Sequence, residues 1–419
     1  MRTLPAFDGR TVGKFLLILF FITVSACSTP ARLPTRVVEP TKPVTVPMAK
    51  SVADDAAVIV SKLVVDEPMR EPRGMPPALA AREPERLTPH IALLVPLASR
   101  TLGKVADALK LGFVAAAEAD GKNAGAYRVY TSDDEGASLA AQYRKAVADG
   151  ATAIIGGLTR DGANTMARES RLLPTLALNA PTIANDAELP DRFFYISLSL
   201  DLEARLVARM AFAEGPRSLA MVVANNPLDK RIQESFEQEW MRQGGSIAAR
   251  ISFGTDPNDA KRVSNTMEKL DEKAGLKADA VFLAADPSAA RFVRPYLPTG
   301  MPVFATSHSV DPRAEAVANL DLESVRFLEM PWFVEPDHPA VMAYTKPQLP
   351  MPIEFERLYA LGIDAWRLAQ MVAGVEGARS TLLLDGVTGR ITLEGRQFAR
   401  ALASVEVRDG RAQLYHPAE

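Results

Sequence analysis

HIALLVP, residues 90–96, followed by GKVADALKLGFVAAAEA, residues 103–119, decides the fold class. The first stretch is apolar without a break from Ile91 to Pro96. A strand with one face in water alternates apolar and polar residues, so an unbroken run marks a strand covered on both faces. The second stretch places its Ala, Leu, Val and Phe residues at helical spacing. A doubly covered strand running into an amphipathic helix is the opening of a βαβ unit.

The alternation continues outward from this pair. Arg128–Ser132 reads as a strand, Ser138–Asp149 as a helix, ATAIIG (151–156) as a strand, Asn164–Arg171 as a helix and Pro174–Leu178 as a strand. A second series follows: helix Leu202–Glu214, strand LAMVV (219–223), helix Lys230–Gln243, strand Ser246–Phe253, helix Asp259–Lys273, strand AVFLA (280–284), helix Ala289–Tyr296 and strand PVFA (302–305). Pro352–Gly374 is a long helix. SVEVR and AQLYH flank Asp409-Gly410, a pair suited to a tight hairpin turn. Units recurring at about 25 residues predict an α/β body with two doubly wound lobes over residues 89–419.

The first 88 residues differ in character. Arg2, Arg10 and Lys14 precede a ten-residue run, Phe15–Val24, that is apolar apart from Thr23. That run is too short to cross about 30 Å of hydrocarbon, but suits the core of a signal peptide. Ser25, Ala26 and then Cys27 follow, and Cys27 is the only cysteine in the chain. Residues 28–88 hold ten prolines, nine Lys/Arg, eight Asp/Glu and no Phe, Tyr or Trp. Such a segment cannot bury enough apolar area to offset the entropy of ordering it, so it reads as a tether. Fully extended it reaches roughly 190 Å at about 3.1 Å per residue.

Composition narrows the function. The 419 residues are 47% hydrophobic and 24% charged, with a formal net charge of −3, and residues 89–419 alone carry −6. An acidic body argues against a nucleic-acid partner. One cysteine excludes a disulfide framework and a Cys-rich metal site. Four dispersed histidines (His90, His308, His338, His416) offer no paired metal ligands. No nucleophile-elbow, phosphate-loop, dinucleotide or zinc-protease motif occurs. Asp133-Asp134 is read as a helix N-terminus, and His308 lacks an identifiable nucleophile and orienting group. The expectation is a binding or regulatory protein without metal, cofactor or chemistry of its own.

Two resemblances sharpen this. VSAC at 24–27 resembles the lipobox of bacterial lipoproteins, with Val24 where Leu is usual. It implies that residues 1–26 are removed and Cys27 is acylated; Ser28, not being Asp, implies sorting to the outer membrane. Stable anchoring needs more than one acyl chain, at roughly 0.8 kcal/mol per buried CH₂. In the body, IALLVPL (91–97), LKLGFVAA (109–116), EMPWF (329–333), RLYALGIDAWRLA (357–369) and LDGVTGRITL (384–393) resemble the type I periplasmic-binding-protein fold. Within it they resemble the C-terminal domain of the penicillin-binding-protein activator lipoproteins, the LpoA/LppC-type family. That resemblance implies lobe 1 at about 89–200 and 331–375, lobe 2 at about 201–330 and 376–419, and crossings near Ser197, Met330 and Ser380. The long helical-repeat domain of better-known members has no counterpart here; the tether stands in its place.

Ligands of open α/β sheets sit at the carboxyl ends of strands. The candidates there are Thr159 after Gly156-Gly157-Leu158, Asn179 after LAL, Tyr195 before the first crossing, and Ser307 after PVFA. Amino-acid-binding relatives hold a carboxylate at the first two places; Arg160-Asp161 departs from their pattern. A role as loop and cap residues without a ligand stays open. Trp332 and Trp366 are expected in the core or between lobes. The resemblance implies an outer-membrane lipoprotein facing the periplasm that activates a class A penicillin-binding protein. The alternative is a solute-binding lipoprotein of an amino-acid-type ABC transporter.

Overall fold

The computed structural model describes residues 88–419 apart from 122–125, 183–185, 273–276, 349, 375–382 and 417–419. The expected anchor at Cys27 and the tether up to residue 87 lie outside the described residues. The expected strands and helices occur in the expected order; the strands at 193–196, 325–329 and 383–401 and the short helices at 316–319, 331–334 and 339–342 were not expected. The first series is β1 (His90–Val95), α1 (Gly103–Ala119), β2 (Tyr127–Thr131), α2 (Ala137–Ala148), β3 (Ala151–Gly156), α3 (Arg160–Glu169), β4 (Thr175–Ala177) and β5 (Phe193–Ile196). The second is α4 (Leu200–Ala213), β6 (Ser218–Ala224), α5 (Pro227–Arg242), β7 (Ser246–Phe253), α6 (Pro257–Glu272), β8 (Ala280–Ala284), α7 (Pro287–Val293), β9 (Val303–Ala305), α8 (Ala316–Asn319) and β10 (Val325–Glu329). The chain then returns through α9 (Pro331–Val334), α10 (Pro339–Met342) and α11 (Ile353–Gly374). It ends in β11 (Leu383–Gly386), β12 (Gly389–Glu394), β13 (Gln397–Ala401), β14 (Ala403–Arg408) and β15 (Arg411–Leu414).

Two sheets result, ordered β11-β12-β13-β5-β4-β3-β1-β2 and β15-β14-β10-β9-β8-β6-β7. Strands β1 to β5 pair in parallel, as do β6 to β10. Apolar clusters cover both faces of each sheet, which is why β1, β6 and β8 are buried along nearly their whole length. The hairpin expected at Asp409-Gly410 joins β14 to β15, and both turn residues have positive φ, 51° and 68°. That sign at both positions matches the twist of the flanking strands.

The third crossing needs correction. Residues 383–401 were expected in lobe 2; they form β11–β13, an antiparallel meander on the edge of the first sheet, with β13 parallel to β5 (Gln397 opposite Tyr195). The chain changes sheets at Leu402, between β13 and β14, not near Ser380. The crossings after β5 and after β10 fall where expected. Several helices also begin earlier than the apolar spacing suggested, because a capping side chain precedes them. Thr159, Ser199, Asn226 and Asp286 each accept a first-turn backbone N–H.

The family-like strings interlock. Helices α1 and α11 pack backbone to backbone: a Cβ on Gly112 would lie 2.7 Å from the Tyr359 carbonyl carbon, and one on Gly362 2.7 Å from the Phe113 nitrogen. Trp366 stands edge-on to Phe113 and donates to Asp120 Oδ2 at 2.6 Å. Glu329, the first residue of EMPWF, accepts both guanidinium nitrogens of Arg357, the first of RLYALGIDAWRLA, at 2.6 and 2.7 Å. Trp332 donates to Glu356 at 2.9 Å. Asp364 accepts the N–H groups of Val387 and Thr388 and the Thr388 hydroxyl at 3.0, 2.8 and 2.7 Å. Both tryptophans are core residues, as expected.

Candidate functional site

The cleft lies between the loops at the carboxyl ends of the two sets of parallel strands. On the first lobe, the β3–α3 loop presents two consecutive main-chain amides, Leu158 and Thr159. Both are occupied by the protein's own Glu135, from the segment entering α2. Leu158 N–H donates to Oε1 at 2.7 Å and Thr159 N–H to Oε2 at 2.6 Å. Glu135 is only 6% exposed. Burial pushes its carboxyl above the ordinary range, while the bonds from Thr159 and Leu158 pull the other way. The neighbouring glycines make room for this carboxylate. Gly157 has φ 68°, and a Cβ on Gly162 would lie 2.7 Å from the Glu135 carboxyl carbon.

The four sequence candidates are likewise committed inside the protein. Thr159 caps α3, its hydroxyl accepting Gly162 N–H at 3.0 Å. Asn179 donates to the Leu158 carbonyl at 2.8 Å and accepts from Ala180 N–H and the Ser197 hydroxyl at 2.8 and 3.2 Å. Tyr195 sits on β5 with its hydroxyl 3.4 Å from Gln397 Oε1. Ser307, on the second lobe, is buried and gives both its N–H (2.5 Å) and its hydroxyl (3.0 Å) to Glu203 of α4. The structure therefore links Thr159 and Asn179 through Leu158, whereas Ser307 is tied separately.

His308 approaches the fully buried Asp229 at 3.6 Å, beyond hydrogen-bond reach. Because the adjacent Ser307 hydroxyl donates to Glu203, no nucleophile–base pair forms here. A cavity of about 560 Å³ opens between the lobes beside His308. Its walls are largely apolar, including Leu198, Val310, Ile353 and Leu358, with Arg313 and Arg357 at its polar side. Among the described residues no group of His, Cys, Asp and Glu side chains could hold a metal ion, and no helix is long and apolar enough to cross a membrane.

Sequence reasoning missed Glu135, Glu203 and Asp201. Asp201 accepts Arg160 from α3 and Arg231 from α5, the latter at 2.9 Å. The signal for Glu329 and Arg357 was present, since each heads one of the quoted strings. Nothing local marks Glu135 or Glu203, whose partners lie 23 and 104 residues away in sequence.

Two lobes, parallel sheets and a three-fold crossing define a bilobal protein of the periplasmic-binding type. Residues 79–410 match the family described as "LppC putative lipoprotein", and the chain belongs to that family. It is 27% identical over 276 residues to "Penicillin-binding protein activator LpoA" of Edwardsiella ictaluri, covering 56% of this chain and 40% of that one. Curated relatives of this kind are matched over only 38–44% of their length. The solved LpoA C-domain of Haemophilus influenzae, described as a regulator of PBP1A, superposes with a TM-score of 0.61 at 19% identity, covering 78% of this chain and 100% of that one. A solved Chromobacterium violaceum protein described as "a putative branched-chain amino acid ABC transporter" gives a TM-score of 0.63 at 34% identity, covering 75% and 98%.

Proposed function

We propose that this chain is a lipoprotein, held in the outer membrane through acylated Cys27 and facing the periplasm, that binds and stimulates a class A penicillin-binding protein without chemistry of its own. The carrying observation is Glu135 seated on the Leu158 and Thr159 amides. A solute carboxylate would need those donors free, so a body whose donors are already filled suits protein contact better than solute capture. Family membership and the activator names of its relatives support the same reading. Stimulation would be a coupling free energy, in which docking favours an active synthase conformation. The tether length suits a partner across the periplasm.

The test is glycan-chain polymerisation by a purified class A synthase with and without the full chain. A several-fold rise and co-purification are expected. The second reading, a solute-binding lipoprotein, draws on the Chromobacterium relative and the interlobe cavity. Absence of synthase binding, together with a melting temperature raised by one amino acid, would replace the activator reading with this one.

A further inference from the structure

Besides the Glu329–Arg357 pair beside the second crossing, two ionic straps join the lobes, each made wholly of this chain's own residues. Asp201, at the start of α4 on the second lobe, accepts Arg160 from α3 on the first lobe and Arg231 from α5 on the second. One largely buried carboxylate thus holds a guanidinium from each lobe. The second strap joins Arg313, which follows β9 on the second lobe and borders the cavity, to Glu356 of α11 on the first. Arg313 also donates to the Met351 carbonyl at 3.1 Å, and Trp332 steadies Glu356 from behind.

A solute that closes a bilobal protein does so by binding both lobes of the closed form better than those of the open form. Here the equivalent interactions are internal. Glu135 fills the donors of one lobe, Glu203 those around Ser307 on the other, and the straps connect the two. A single exposed ion pair contributes little. These pairs differ because the carboxylates are largely buried, and opening would break both straps together while leaving Asp201 and Glu356 short of a partner.

We propose that the straps hold the lobes shut without any solute, while the two internal carboxylates fill the donors a solute would need, so that this body does not open and close on a ligand cycle. The proposal does not depend on which partner it serves. Leu172 and Met241 are 78% and 57% exposed, one on each lobe, and serve as labelling positions. In the full chain carrying Cys27→Ser, Leu172→Cys and Met241→Cys, spin labels at the two new cysteines report interlobe distance. One narrow distance distribution is expected without solute, unchanged by saturating mixtures of amino acids. Adding Asp201→Asn with Arg313→Gln should broaden or lengthen it. If that pair prevents folding, Arg160→Gln, at a half-exposed side chain, should still broaden it. A broad solute-free distribution that narrows on adding an amino acid overturns the proposal, and so does a strap variant that folds and matches the parent.

Discussion

Glu135→Ala removes the buried carboxylate that satisfies two partly buried amides, and its cost can be worked from the geometry. Hydrogen bonds to a charged group contribute about 1.5–3 kcal/mol each, and an orphaned buried donor costs about 1–3 kcal/mol. Two such bonds set an upper figure near 6 kcal/mol. Burial already disfavours the ionised form of Glu135, and water can enter the space left by truncation. Both effects lower the expectation to about 2 kcal/mol. At about 2 °C per kcal/mol for a body of this size, the melting temperature should fall by roughly 4 °C. The variant also leaves a carboxylate-shaped space with two donors pointing into it. Acetate should occupy it: at a Kd of about 10 mM, 100 mM acetate restores about 1.4 kcal/mol. The assay is thermal unfolding of wild type and variant in matched acetate and chloride buffers. A variant as stable as wild type, or one that acetate and chloride stabilise equally, would refute the idea that Glu135 fills an anion seat.

Gly362→Ala should cost about 1–3 kcal/mol, because its methyl meets the Leu109 and Phe113 backbone and only separation of α1 from α11 relieves it; an unfolding free energy from urea denaturation within about 0.5 kcal/mol of wild type contradicts that packing. Gly112→Ala should behave alike, and the double variant should cost less than the sum, since one helix shift relieves both. Burial raises the carboxyls of Glu135, Glu203, Glu214, Asp229 and Asp364. Their contribution is complete below the ordinary carboxylate pKa and is lost as pH rises through the raised values. Glu239 is held at about 2, chiefly by Arg242, so its contribution is present above the ordinary value and lost as pH falls towards about 2. Melting temperature should therefore be higher near about pH 5 than near about pH 8, and fall again below about pH 4; a steady rise from acid to alkali contradicts this. Cys27→Ser should leave an unprocessed or soluble chain by fractionation, and a processed, membrane-retained product refutes lipidation.

Much of the architecture was legible in local pattern. Unbroken apolar runs located β1, β6 and β8, and helical spacing located α1 to its end residues. Misses followed a physical rule. Helix α3 begins at Arg160 rather than Asn164 because the cap at Thr159 extends it through a stretch with no apolar stripe. β11–β13 were not legible as strands, because the meander is half-exposed and carries no unbroken apolar run. Candidate site residues were chosen for position at strand ends, and they do sit there. Whether their polar atoms are free was not legible, since that depends on carboxylates arriving from elsewhere in the chain.

The sequence by itself determined the strand–helix order, the double coverage of the parallel strands, the Asp409-Gly410 turn and the absence of a catalytic motif. All of these rest on interactions within a few residues, or on the simple presence or absence of a residue type. Only the tertiary structure decided that residues 383–401 extend the first sheet, that Glu329 meets Arg357, and that Glu135 and Glu203 occupy donors where a ligand was expected. Periodicity reports how much of a side chain is buried, not against what. A carboxylate's partner is set by chain segments brought together after the sheets have formed, and no local pattern encodes it.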